Sequence, residues 1–186
     1  MKKSQYLALA LSLSLSACVN RVDTVASKYE LKSQIPINAS NIVIAYDFNP
    51  YSKSLQADSL FSQALVQDLE KWGRKRLHPV APSGVAQIKV RQASISKVPN
   101  VKYPEALEGC LDVMLSIIDN NGVGHAYAEA KIKQHVSAPP NMTDKEMATL
   151  KKVLITKLVD GLDAEMESVL VAKANPSYVG RNIQPR

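Results

Sequence analysis

The chain holds few groups that chemistry could use, and their spacing narrows what each can do. Cys18 follows Leu15-Ser16-Ala17 at the end of an apolar stretch. Cys110 begins the run Cys110-Leu111-Asp112-Val113-Met114-Leu115 and is expected to be a buried, inert thiol, since free cysteine behaves as a small hydrophobe. His125 and His135 fall on one expected strand, about 33 Å apart at 3.3 Å per residue, too far to share a metal ion. His78 has no second ligand near it in sequence, so structural or surface roles are expected for all three histidines. Asp160, Asp163, Glu165 and Glu167 share a helical stretch, and Asp163 and Glu167 at i,i+4 spacing sit side by side. Without complementary groups nearby they are expected to form a solvated face rather than an acid/base pair. There is no Gly-x-Ser-x-Gly, no His-Glu-x-x-His and no glycine-rich phosphate loop.

The strongest local charge is the run Lys71, Arg74, Lys75 and Arg76. Its simplest role is to complement the carboxy-terminal dipole of a helix. Its sharper role is contact with lipid phosphates or with an acidic partner. No catalytic residue, metal or cofactor is expected, and the chain is not expected to be an enzyme.

The 186 residues allow one ordinary domain, and 46% hydrophobic with 22% charged residues is a globular composition. The formal charge is +6, and Lys2 and Lys3 supply two of those charges. The remaining excess is too modest to argue for nucleic acid, and the basic run lacks interleaved aromatics for base stacking.

Residues 1–18 have the layout of an export signal: Lys2 and Lys3, then an apolar stretch from Tyr6 to Leu15, then small residues before Cys18. The stretch is shorter than the roughly 20 apolar residues that a membrane span requires. Leu15-Ser16-Ala17-Cys18 resembles the lipobox of bacterial lipoproteins. That resemblance implies a diacylglycerol on the Cys18 thiol, cleavage just before it and acylation of the new amino group. Two or three acyl chains hold a protein durably where one does not. Val19 stands where an Asp would, in enteric bacteria, retain the protein at the inner membrane, so the resemblance favours the outer membrane. Export would also separate the chain from nucleic acid.

The elements that must position these groups follow from periodicity. Residues 18–40 are polar and mixed and are expected to be a lipidated tether, with a little structure around Tyr29 to Leu31. Ile42 to Tyr46 reads as a strand, apolar throughout, which suggests a central strand or one covered on both faces. From about Leu55 to Arg76, Phe61, Leu65, Leu69 and Trp72 form a helical stripe ended by Gly73 and Pro79. Ala86 to Val98 reads as a strand whose apolar parity switches near Arg91-Gln92, which predicts a bulge. Pro99 to Glu108 reads as a connection. Leu111 to Ile118 and Val123 to Val136 read as a hairpin around Asn121-Gly122. Thr143-Asp-Lys-Glu146 has the pattern of a capping box and opens a long apolar-striped helix to about Ala172.

The predicted order is β-α-β-β-β-α: an α+β two-layer sandwich with one mixed sheet of about four strands and two helices on one face. The opposite sheet face is expected to be polar and available for contact. The expected organisation is a signal peptide (1–17), a lipidated tether (18–40), one α+β domain (41–174) and a disordered tail (175–186).

The lipobox, this element order and the final helix resemble small Gram-negative envelope lipoproteins. Two such families share the outline: the lipopolysaccharide-assembly lipoprotein that plugs the outer-membrane translocon, and the auxiliary lipoprotein of ABC-type lipid transport systems. Local echoes are Ala93-Ser-Ile-Ser-Lys97 and Asn121-Gly122. The resemblance implies a non-enzymatic auxiliary factor, lipid-anchored on the periplasmic face of the outer membrane, with a protein complex or a lipid as partner. A component of a secretion or pilus machine, or an enzyme with a site built from scattered residues, stands as the alternative.

Overall fold

A computed structural model describes residues 27–48, 59–99 and 105–172. The expectations for the leader, Cys18, the first part of the tether, the Phe61 side chain and the tail lie outside the described residues.

Four strands form a mixed sheet: β2 (Asn41–Tyr46), β4 (Val85–Val98), β5 (Glu105–Ile118) and β6 (Gly124–Ala138), in the order β2-β4-β5-β6. Helices α1 (Ser59–Arg76) and α2 (Asp144–Ala172) pack on it, an open α+β sandwich in the order β-α-β-β-β-α. Strand β2 pairs parallel with β4, and α1 supplies the crossover that a parallel pair requires. The β5 and β6 pairings are antiparallel.

Alternation explains the two faces. Ala86, Ile88 and Val90 on β4, Leu111, Val113, Leu115 and Ile117 on β5, and Ala128 and Ala130 on β6 are buried beneath the helices. Leu65, Leu69 and Trp72 of α1 and Leu154, Leu158, Leu162 and Met166 of α2 meet them. The register between β4 and β5 shifts between Val90 and Gln92, leaving Arg91 as the bulged residue. Without that extra residue Ala93 and Ile95 would face water; with it both are buried.

Glycine sets how closely α2 approaches the sheet. A Cβ on Gly109 of β5 would stand 2.6 Å from Leu158 Cδ1, and one on Gly161 of α2 would stand 2.9 Å from Ile132 Cγ2. The helix start is fixed as its residues predict: the Thr143 amide donates to Glu146 Oε2 at 2.7 Å, and the Glu146 amide donates to Thr143 Oγ1 at 3.3 Å. At the hairpin, Asp119 Oδ1 accepts the amides of Asn121 and Val123, and Gly122 takes φ +80°.

Three expectations are corrected. Strand β2 is an edge strand, not a central one; its apolar sequence reflects cover from α1 on one side, while Val43 on the other is exposed. Strand β5 begins at Glu105 and not at Leu111, and Ala106 and Leu107 are both buried. The latter part of the expected tether belongs to the folded domain. A 3-10 turn (Lys28–Leu31) buries Tyr29, and β1 (Ile35–Ile37) pairs parallel with β3 (Leu77–Pro79), burying Ile35 and Ile37. Folding starts by residue 28, so Ile35-Pro36-Ile37 is a core strand with its proline at a half-buried position.

Candidate functional site

The basic run splits at the end of α1 because a helix turns 100° per residue, so its four cations leave in different directions. Arg76, with Trp72 one turn earlier, points into the interior. Its guanidinium Nε donates to Asp163 Oδ1 of α2 at 2.6 Å, and Trp72 Nε1 donates to the same oxygen at 3.0 Å. Lys32, from the amino-terminal strap (residues 28–37, the 3-10 turn and β1), reaches Asp163 Oδ2 at 2.8 Å and also pairs with Glu167. Arg76 and Asp163 are both fully buried. Burial alone would raise the Asp163 carboxyl, but hydrogen bonds from Arg76, Lys32 and Trp72 outweigh it and hold the group below the usual carboxylate range. The two carboxylates hold Lys32 above its ordinary value.

Two expectations therefore change. Arg76 is not on the surface and offers nothing to a lipid or partner. Asp163 is not solvated; with the half-exposed Glu167 it forms the acidic half of an ion cluster whose buried members are Arg76 and Asp163. This cluster joins three separate segments: the strap, α1 and α2. Sequence gave one signal for it, the i,i+4 pairing of Trp72 and Arg76 on the same helix face as Leu65 and Leu69.

Lys71, Arg74 and Lys75 face outward and line a shallow open depression of about 480 Å³ with Gln67 and Glu70. Lys71 is ion-paired with Glu30, and Arg74 lies 3.5 Å from Glu70. Hydrogen bonding to Lys71 lowers the Glu30 carboxyl.

The sheet face opposite the helices is, among the described residues, a ladder of paired charges. Arg91 Nε and Nη2 donate to Asp112 Oδ1 at 2.9 and 2.7 Å, and its Nη1 donates to Glu129 at 2.9 Å. Lys133 pairs with Glu108 and Lys89 with Asp47, both at 2.9 Å. Tyr127 is 67% exposed on the outermost strand. Cys110 is half-buried on this face, in register with Ser94 and Lys133, and not in the core as its apolar neighbours suggested. His125 Nε2 lies 2.8 Å from Asp119 Oδ2, while His78 and His135 are exposed. Among the described residues no group of three or more His, Cys, Asp or Glu could hold a metal ion, and no helix is long and apolar enough to cross a membrane.

No family model matches the chain. No curated protein matches it either. Several solved structures overlap it at low similarity. The rare lipoprotein B from Shewanella oneidensis is 14% identical with a TM-score of 0.43, covering 73% of this chain and 99% of that one. A minor lipoprotein from Acinetobacter baumannii is 11% identical with a TM-score of 0.38, covering 72% and 95%. An uncharacterized lipoprotein B from Nitrosomonas europaea is 15% identical with a TM-score of 0.37, covering 78% and 93%. Overlaps this shallow carry no argument about function, which has to come from the residues of this chain.

Proposed function

We propose that the chain is a non-enzymatic envelope lipoprotein, held on the periplasmic face of the outer membrane by lipid on Cys18. It serves as an auxiliary or assembly factor for lipid or lipopolysaccharide transport. The observation that carries this reading is the sequence from Lys2 to Cys18: basic start, short apolar stretch, Leu15-Ser16-Ala17, then cysteine. The domain behind it supports the reading in its shape. One sheet face is sealed by two helices, and the other presents a broad polar surface with Tyr127 and paired charges. Such a surface suits a protein partner better than an enclosed small molecule, because interfaces favour exposed aromatic and arginine groups over a level area.

The test is photo-crosslinking in intact cells from positions 127 and 131 on the open face, followed by mass spectrometry of the products. A single envelope protein or lipid captured at both positions is expected. Absence of any product that depends on the probe position would overturn the role as a partner-binding factor.

A further inference from the structure

Strand β6 closes one end of the sheet, and among the described residues no strand pairs with its outer side. An edge strand offers a row of unpaired amides and carbonyls, which proteins usually blunt with a short strand, a proline or a bulge. β6 runs for 15 residues without a proline, and its irregularity against β5 lies at the hairpin end, beside Ile117 and Ile118. His125, Tyr127, Glu129, Lys131, Lys133 and His135 alternate along it and are all exposed. Edge lysines ordinarily discourage pairing. In this strand one arrangement answers them.

We infer that β6 pairs antiparallel with β6 of a second copy about a two-fold axis at Ala130, so that two sheets join into one. An axis perpendicular to the sheet keeps polar face beside polar face, so the register must be centred on a residue. Centring on Ala130 sets Glu129 opposite Lys131 of the second copy, and Lys131 opposite its Glu129. Tyr127 then stands opposite Lys133, and His125 opposite His135, so no like charges meet. Centring on Glu129 or on Lys131 opposes that residue to its own copy, and centring on Ile132 opposes Lys131 to Lys133. Opposite charges facing each other across a strand pair stabilise it, and like charges destabilise it. Both residues have capacity for the new contact: Glu129 gives one oxygen, Oε1, to Arg91, and Lys131 approaches Asp112 only to 3.8 Å.

The helices fit the same arrangement. Leu154 and Leu158 of α2 stand over Gly109 of β5, and Gly161 stands over Ile132 of β6. The axis of α2 therefore runs above the line between β5 and β6, close to the two-fold at Ala130. Its copy then lies about two strand spacings away, roughly 10 Å, the distance at which helices pack. The inference does not depend on the lipid anchor, and it leaves the polar sheet face open on both copies.

The test uses the full chain purified from cells in detergent. Isotope-light and isotope-heavy protein are mixed, and a zero-length carbodiimide joins carboxylates to amines that touch. The protein is expected to sediment as a dimer and to yield peptides joining Glu129 of one isotope to Lys131 of the other. Lys131→Glu is expected to weaken dimerisation about tenfold, since both opposed pairs become like-charged. Adding Glu129→Lys to it is expected to restore most of that loss, because the charges are then exchanged. Thermal midpoints confirm that both variants fold, and the wild-type coupling decides the matter if either does not. Monomeric wild-type protein, a dimer without mixed-isotope coupling along β6, a dimer indifferent to Lys131→Glu, or coupling of β6 to residues 173–186 of its own chain would overturn the inference.

Discussion

Arg76 Nε lies 2.6 Å from Asp163 Oδ1 in the interior between α1 and α2, with Trp72 donating to the same oxygen. Neither ion would be stable there alone, since an unpaired buried charge keeps its desolvation cost without the attraction that offsets it. Asp163→Asn is therefore expected to destabilise the domain by about 3–5 kcal/mol, the range for breaking a buried pair. Glu167→Gln, at a half-exposed position, should cost under about 1 kcal/mol. Urea unfolding of both variants measures the difference; equal, small losses would show that the pair contributes little.

The same carboxylate sets an acid limit. Its folded-state pKa lies below the ordinary value, so its contribution is fully present above about pH 4 and is lost as pH falls through the folded value. The wild-type urea midpoint should drop more steeply as pH falls below about 4 than that of Asp163→Asn, with the two curves parallel above it. Curves that stay parallel below it as well would contradict the assignment. Lys32 acts with the opposite sign: its raised value keeps its contribution until pH rises past about 10.5.

The strap belongs to the core. Ile37 is fully buried and pairs in β1 with Pro79. Ile37→Ala is expected to cost about 2–5 kcal/mol, as for other buried aliphatic truncations. A solvated tether would show no change in thermal midpoint.

Gly109 governs how α2 seats on β5. An added methyl would meet Leu158 Cδ1 at 2.6 Å with Leu154 Cδ2 close behind, both buried and unable to swing into solvent. Gly109→Ala should cost about 1–3 kcal/mol by overpacking. Gly122→Ala at the hairpin meets no atom and is opposed only by its positive φ, so a smaller loss from backbone strain is expected there. Equal losses in calorimetry would contradict the close helix–sheet approach.

Much of this architecture was legible in local patterns. Thr143 with Glu146, the parity switch at Arg91, and Asn121-Gly122 each encode a feature within a few residues, where backbone chemistry decides the outcome. What was not legible depends on residues far apart. The run Ile35-Pro36-Ile37 is too short to carry a period, and it becomes a strand only because Leu77–Pro79 lies beside it. Strand β2 reads as central because it is apolar, yet sheet order is set by the crossover through α1 and not by composition. The basic run shows four closely spaced cations, and nothing local reveals that Arg76 turns inward to a carboxylate 87 residues away. Lys71, Arg74 and Lys75 face outward and Arg76 does not.

The central claim concerns Cys18, and metabolic labelling with a fatty acid tests it most directly. The mature protein should carry label, begin at Cys18 by mass spectrometry and fractionate with the outer membrane, and Cys18→Ala should abolish the label and the membrane retention. Unlabelled wild-type protein, or a Cys18→Ala variant retained on the membrane as before, would contradict the account.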